Sequence, residues 1–314
     1  MDDVISDYTE SIFNMIVGSA PERRDELALF CNDYGVRFLE VNDKTGIVMN
    51  ATKDRVAFAR KDLQVIWLLA FSLWKAIALF APHIMSQLLF RSPVKSILEL
   101  DTDLDRFERD YRERLNSVVQ LIEDEVLDES RWPPDIPKPG CSRDDLASIE
   151  HKAVYDLAIM TIAVAFLHEL RHVKFHRDHV NGTTRPTNPA MEEMECDIWA
   201  RDWLMSKVGE YANVQNHTYE RVASKRAMAL LIMGEFLRLA NSFAGTFGSK
   251  EYPPLADRVS AISGGISLPD SDAFWIVSSC VLYGEARRQG GRYLELPSAS
   301  PRMITRFLLG VLNA

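Results

Sequence analysis

Residues 157–172 read Leu157-Ala158-Ile159-Met160-Thr161-Ile162-Ala163-Val164-Ala165-Phe166-Leu167-His168-Glu169-Leu170-Arg171-His172. The first eleven positions are apolar on every side of a helix except at Thr161, the pattern of a helix sunk in a core rather than lying on one. Unpaired polar groups are costly inside a protein, so the sudden His, Glu, Arg and His need a polar purpose. His168 and His172 stand four positions apart, on one helix face and about one turn from each other. Two imidazoles at that spacing can bind one tetrahedral zinc, with Glu169 beside a water on the open position. Zinc lowers the pKa of such a water. The carboxylate takes its proton as it attacks a peptide carbonyl, then passes the proton to the leaving amine.

A catalytic zinc needs a third protein ligand. Downstream lies Met191-Glu192-Glu193-Met194-Glu195-Cys196-Asp197. Glu193 and Asp197 share a helix face, which suits Glu193 as ligand and Asp197 as acceptor for a ligand histidine's other N–H. The intervening loop contains Gly182, Pro186 and Pro189 and can turn the chain back so that the two helices pack antiparallel. Glu192 and Glu195 point to other faces and read as solvated carboxylates near a helix start. His176 and His179 continue the first helix with no bend signal at Phe175, and read as solvated or loop-packing. Cys196 is a possible thiolate ligand but reads as a small core residue.

Working outward, residues 1–34 look helical with a break at Gly18-Ser19-Ala20-Pro21. Val36–Val41, the turn Asn42-Asp43-Lys44-Thr45-Gly46 and Ile47-Val48-Met49 read as a β-hairpin, with a third strand over Arg55–Arg60. From Asp62 the pattern is helical almost to the end, with an amphipathic helix over Asp101–Glu129. Trp132-Pro133-Pro134-Asp135-Ile136-Pro137-Lys138-Pro139 cannot be a helix interior. The chain thus divides into an N-terminal region 1–131 with the strands in 36–60, a proline-rich connector 132–143 and a helical metallopeptidase region 144–314. Helices are expected over 144–179, 190–208, 219–243, 271–288 and 300–312, with a break at Tyr252-Pro253-Pro254. The fold class is mainly α with a small N-terminal hairpin or sheet, carrying a zincin-like site of the gluzincin type, HExxH plus a glutamate.

The formal net charge of -9 argues against a nucleic-acid surface. Four cysteines, Cys31, Cys141, Cys196 and Cys280, form no CxxC pair, and the acidic start lacks the pattern of a signal peptide. A cytoplasmic protein is the expectation. Val65–Ala81 approaches the length of a membrane span, but Lys75 in its middle favours a buried core helix over a membrane segment.

With these residues in place, the chain resembles the Lit-type phage-exclusion metallopeptidases of bacteria. The resemblance rests on Val65-Ile66-Trp67 with Trp74, Trp132-Pro133 with Pro137-Lys138-Pro139, the lead-in to His168–Val173, the run Glu192–Asp197, and Tyr252-Pro253-Pro254-Leu255-Ala256-Asp257-Arg258. It spans roughly Lys61 to Arg258. It implies a zinc (Zn2+) endopeptidase of abortive infection. Such an enzyme cleaves elongation factor Tu as its protein substrate once a phage-derived activator peptide is bound to it. By position, His168 and His172 carry over as ligands, Glu169 as catalytic base and Glu193 as third ligand. Cys196 replaces the family's alanine. Tyr252 stands where a histidine is expected, and could donate a hydrogen bond to an oxyanion. Tyr252 and Arg258 have two readings, as members of the catalytic set or as a proline turn followed by an ion-paired arginine. Two alternatives to the enzyme are a non-hydrolytic zinc-binding regulator or toxin-type protein, which would close its metal with four protein ligands, and a membrane-associated metalloprotease.

Overall fold

The computed structural model describes residues 4–91, 93–99, 101–125, 129–180, 186, 188–241, 253–290 and 294–312. The N-terminal part is a mixed sheet with two helices: β1 (Val4–Asp7), α1 (Thr9–Ser19), α2 (Arg24–Tyr34), β2 (Arg37–Val41), β3 (Asn50–Ala51) and β4 (Arg55–Ala59). Then come α3 (Arg60–Phe90), α4 (Val94–Leu98), α5 (Leu104–Glu123), α6 (Ile149–Val180) and α7 (Pro189–Met205). The chain continues with α8 (Val208–Val214), α9 (Tyr219–Asn241), α10 (Leu255–Ser263), α11 (Ala273–Gly290) and α12 (Pro301–Leu312). The expected class, mainly helical with a small N-terminal sheet, is what the chain forms.

The pairing inside the sheet corrects the expected hairpin. The strand order is β1-β2-β4-β3. β2 pairs parallel with β4, from Arg37 opposite Arg55 to Val41 opposite Ala59. β3 pairs antiparallel with β4, while residues 47–49 are not in a strand. Alternation marks a strand without naming its partner, which long-range packing selects. The same packing turns Val4–Asp7, expected to be helical, into an exposed edge strand against β2.

Period-two geometry puts Phe38, Val56 and Phe58 on one sheet face, and all are buried. Phe166 of α6 meets Phe38 and Phe58 edge-on, at ring distances of 5.4 and 5.2 Å. That contact fixes α6 beneath the sheet. α6 also packs on α1, α3, α7 and α9, which is why its middle is apolar all round.

Residues 132–143 run over a hydrophobic core that includes residues from Ile12 to Leu308. The Trp67 indole donates to the Pro137 carbonyl at 2.8 Å. Arg114 holds both oxygens of Asp135 at 2.6 Å. Every residue from Val65 to Leu73 is buried, and Lys75, the one charge of that stretch, faces Asp110 and Asp135 at 3.4 and 3.6 Å. α3 and α6 are each long and apolar enough to cross a membrane by length and composition, and 67% of the apolar window of each is buried in the fold.

Candidate metal centre

α6 leaves the core at His168, and α7 meets it there. The cross-contacts set the direction: His168 touches Glu193 and Asp197, Arg171 faces Glu195, and His172 touches Glu192 and Glu193. Rising numbers on one helix meet falling numbers on the other, so the pair is antiparallel. α7 begins where its sequence says it should. Asn188 caps it by accepting from the Ala190 N–H at 2.9 Å, and Pro189 takes the first helical position, where no N–H is needed.

Three donor groups converge. His168 Nε2 and His172 Nε2 are 3.2 Å apart. A Glu193 oxygen lies 3.4 Å from the first, and its other oxygen 3.2 Å from the second. Two ligands bound at about 2.0–2.1 Å to one tetrahedral ion would be separated by about 3.3–3.4 Å, which is the spacing found. Cys196 is the second candidate for the third position: its sulfur and the two histidine donors all lie within 4.8 Å of one another. Without a metal, burial pushes that thiol far above its ordinary range, whereas Glu193 brings a carboxylate oxygen within 3.4 Å of each histidine donor.

Each histidine has a carboxylate behind it. Asp197 stands 2.9 Å from His168 Nδ1, in ion-pair contact though not aligned as a hydrogen bond. His172 Nδ1 and Glu192 share a hydrogen bond of 2.8 Å. Such partners orient ligand imidazoles and raise their basicity. The structure places Asp197 behind His168. Glu192 departs from the sequence reading: the expected solvated carboxylate is 3% exposed. The available signal was the antiparallel pairing itself. A step of four residues forward on α6 requires an acid four or five positions back from Asp197. Glu195 is the half-exposed carboxylate that was expected, 3.7 Å from Arg171.

Arg258, early in α10, ties the cluster together from a third helix. It donates to both oxygens of Asp197 at 2.8 and 2.9 Å and stands 3.2 Å from Glu193. It is 5% exposed. Arg258 is thus ion-paired, and its planar fork is committed to Asp197. Tyr252 lies outside the described residues.

These charges set the site's proton affinities in the absence of an ion. Burial pulls His168 down, but Asp197 and Glu193 carry it up to about 10. Burial pushes Glu193 up, and the two histidines overcome it and hold the carboxyl well below its ordinary value. Glu169 is raised, chiefly by burial, against the pull of the histidines. A raised proton affinity is what a carboxylate that must both accept and release a proton requires.

His168, Glu169, His172, Glu193 and Arg258 line one cleft, with a volume of about 1450 Å³ counting the space open to solvent. It is also lined by Gly46, Ile47, Met49, Asn50, Ala51 and Ile122, and by Met233, Phe236 and Leu237 of α9. His176, expected to be solvated or to pack on the loop, is half-buried and lines the same cleft. The side chain of His179 lies outside the described residues.

Compared with curated proteins and with solved structures, the chain finds no match. The profile of the family described as Peptidase U49 matches residues 56–278, well over half of the chain. That span contains both site helices and Arg258. The chain belongs to the peptidase U49 family, the Lit-type phage-exclusion peptidases, and is a zinc-dependent metalloendopeptidase.

Proposed function

We propose that the protein is a cytoplasmic abortive-infection protease that cleaves elongation factor Tu after a phage-derived peptide completes the substrate. In this reading His168, His172 and Glu193 hold the zinc and Glu169 moves the proton. The observation that carries the assignment is the convergence of two imidazoles 3.2 Å apart with a carboxylate whose two oxygens lie 3.2 and 3.4 Å from them, with Glu169 lining the same cleft. Bound zinc supplies a Lewis acid that polarises a carbonyl and acidifies a water.

The chain's own residues do the rest. Glu169 accepts a proton from the attacking water and returns it to the leaving amine. Asp197 and Glu192 hold the two imidazoles in register, and Arg258 balances the charge of Asp197 and Glu193. Strand β3 is a sheet edge that lines the cleft, so its free backbone groups can pair with an extended polypeptide. A site facing a cleft of this size supports an enzyme over a regulator whose metal is closed by four protein ligands. The elongation-factor substrate and the phage trigger rest on membership of the family.

The test compares the proteomes of bacterial cells expressing the wild type or Glu169→Gln, with and without phage infection. One abundant protein, elongation factor Tu, is expected to be cut only in infected cells carrying intact Glu169. Identical proteomes and identical phage sensitivity would overturn the proposal.

A further inference from the structure

Gly46, Ile47 and Met49 line the cleft together with the histidines, and they belong to a loop, residues 42–49, with no regular structure of its own. A loop placed against an active site needs something to hold it, and here the anchors are two adjacent side chains at the start of α3. Lys61 and Asp62 are both 0% exposed, an unusual place for either residue type.

Lys61 is satisfied by carbonyls rather than by a paired carboxylate. Its ammonium donates to the carbonyl of Lys44 in the loop, and to those of Ile122 and Asp124 at 3.3 and 2.5 Å. Three donors meet three acceptors. Two of those acceptors belong to the C-terminal end of α5, where backbone carbonyls lack helical partners and a cation is favoured. Its backbone N–H donates to Asp43 at 3.1 Å.

Asp62 takes the other end of the loop. Its carboxylate accepts from the Val48 N–H at 3.2 and 3.3 Å and from the Ala59 N–H at 3.0 Å. The last of these caps α3, so one carboxylate fastens the helix start and the loop together. Between the two anchors, Gly46 N–H donates to Ile122 at 2.8 Å. Gly46 has φ +83°, which a side chain would strain. Gly46, Ile47, Met49 and Ile122 all face the cleft.

From this geometry we infer that Lys61 and Asp62 are positioning residues of the peptidase, holding residues 43–48 so that Gly46 and Ile47 line the substrate cleft that the zinc helix also lines. The inference rests on the zinc-peptidase reading of the cleft. It touches none of the groups assigned to the metal.

The test uses the full zinc-loaded chain, with Asp62→Ala, Asp62→Asn and the milder Asp43→Ala, which leaves the buried pair intact. Amide exchange is followed at Gly46 and Val48, zinc is counted, and the probe is a dipeptide hydroxamate bearing a leucine side chain. In Asp62→Ala, exchange at both amides is expected to rise and hydroxamate affinity to fall, each by at least about tenfold, the loss of a charge-assisted hydrogen bond. Zinc content should be unchanged. Asp62→Asn should recover part of both, and Asp43→Ala should shift both in the same direction by less. Should Asp62→Ala not fold, Asp43→Ala decides: faster exchange with weaker binding at full zinc supports the latch. Unchanged exchange and affinity in the folded variants overturns it. A wild type that holds no zinc would sink the metallopeptidase reading instead, and the exchange measurement would still decide the latch.

Discussion

Glu169→Gln should bind zinc as the wild type does and cleave its protein substrate about a hundred- to ten-thousand-fold more slowly. The substitution keeps the shape of the side chain and removes its ability to take a proton. Glu169 lines the cleft beside both histidines and is absent from the convergent donor set, so the metal has no need of it. Burial raises its proton affinity, which places it nearer the working range of a group that must both accept and release a proton. The expected loss corresponds to about 3–5.5 kcal/mol in the activation barrier. Cleavage of the proposed substrate, elongation factor Tu together with the phage-derived peptide, by purified protein measures it, with zinc counted in parallel. A rate within tenfold of wild type at full zinc would remove Glu169 from the chemistry.

Arg258→Ala should be the most destabilising single change at the site, by about 3–5 kcal/mol in the metal-free protein, as for a buried ion pair that loses one partner. Asp197 is 2% exposed and Arg258 5%. Removing the guanidinium strands a carboxylate left with His168 as its partner among the described residues, and withdraws a cation 3.2 Å from Glu193. Arg258→Lys should recover only part of the loss, because an ammonium cannot reproduce the two parallel bonds to Asp197. The comparison is Arg143→Ala at the exposed pair with Asp156, 2.7 Å apart, where less than about 1 kcal/mol is expected. Urea unfolding of the three variants decides it. An effect at Arg258 no larger than at Arg143 would mean that the buried ion pair contributes little to the fold.

The parts of the site legible in the sequence were those written in local periodicity. The spacing of His168 and His172, the apolar run before them and the four-residue step from Glu193 to Asp197 each describe one helix face, and each is found there. What escaped depends on how separate elements meet. Glu192 reads as solvated until α7 is laid antiparallel on α6, when it falls behind His172. The parallel pairing of β2 with β4 is decided by the face that Phe38 and Phe58 show to Phe166, which no strand reveals alone. Lys61 and Asp62 look like ordinary charges opening a helix. Their burial is set by a loop and a helix end more than ten residues away in the chain.

The most direct test is the zinc-to-protein ratio of exhaustively dialysed wild type, Glu193→Ala and Cys196→Ala. If the two imidazoles and the glutamate hold the ion, wild type and Cys196→Ala keep about one zinc per chain and Glu193→Ala loses it. Zinc retained by Glu193→Ala and lost by Cys196→Ala would contradict the account and hand the third position to the thiol.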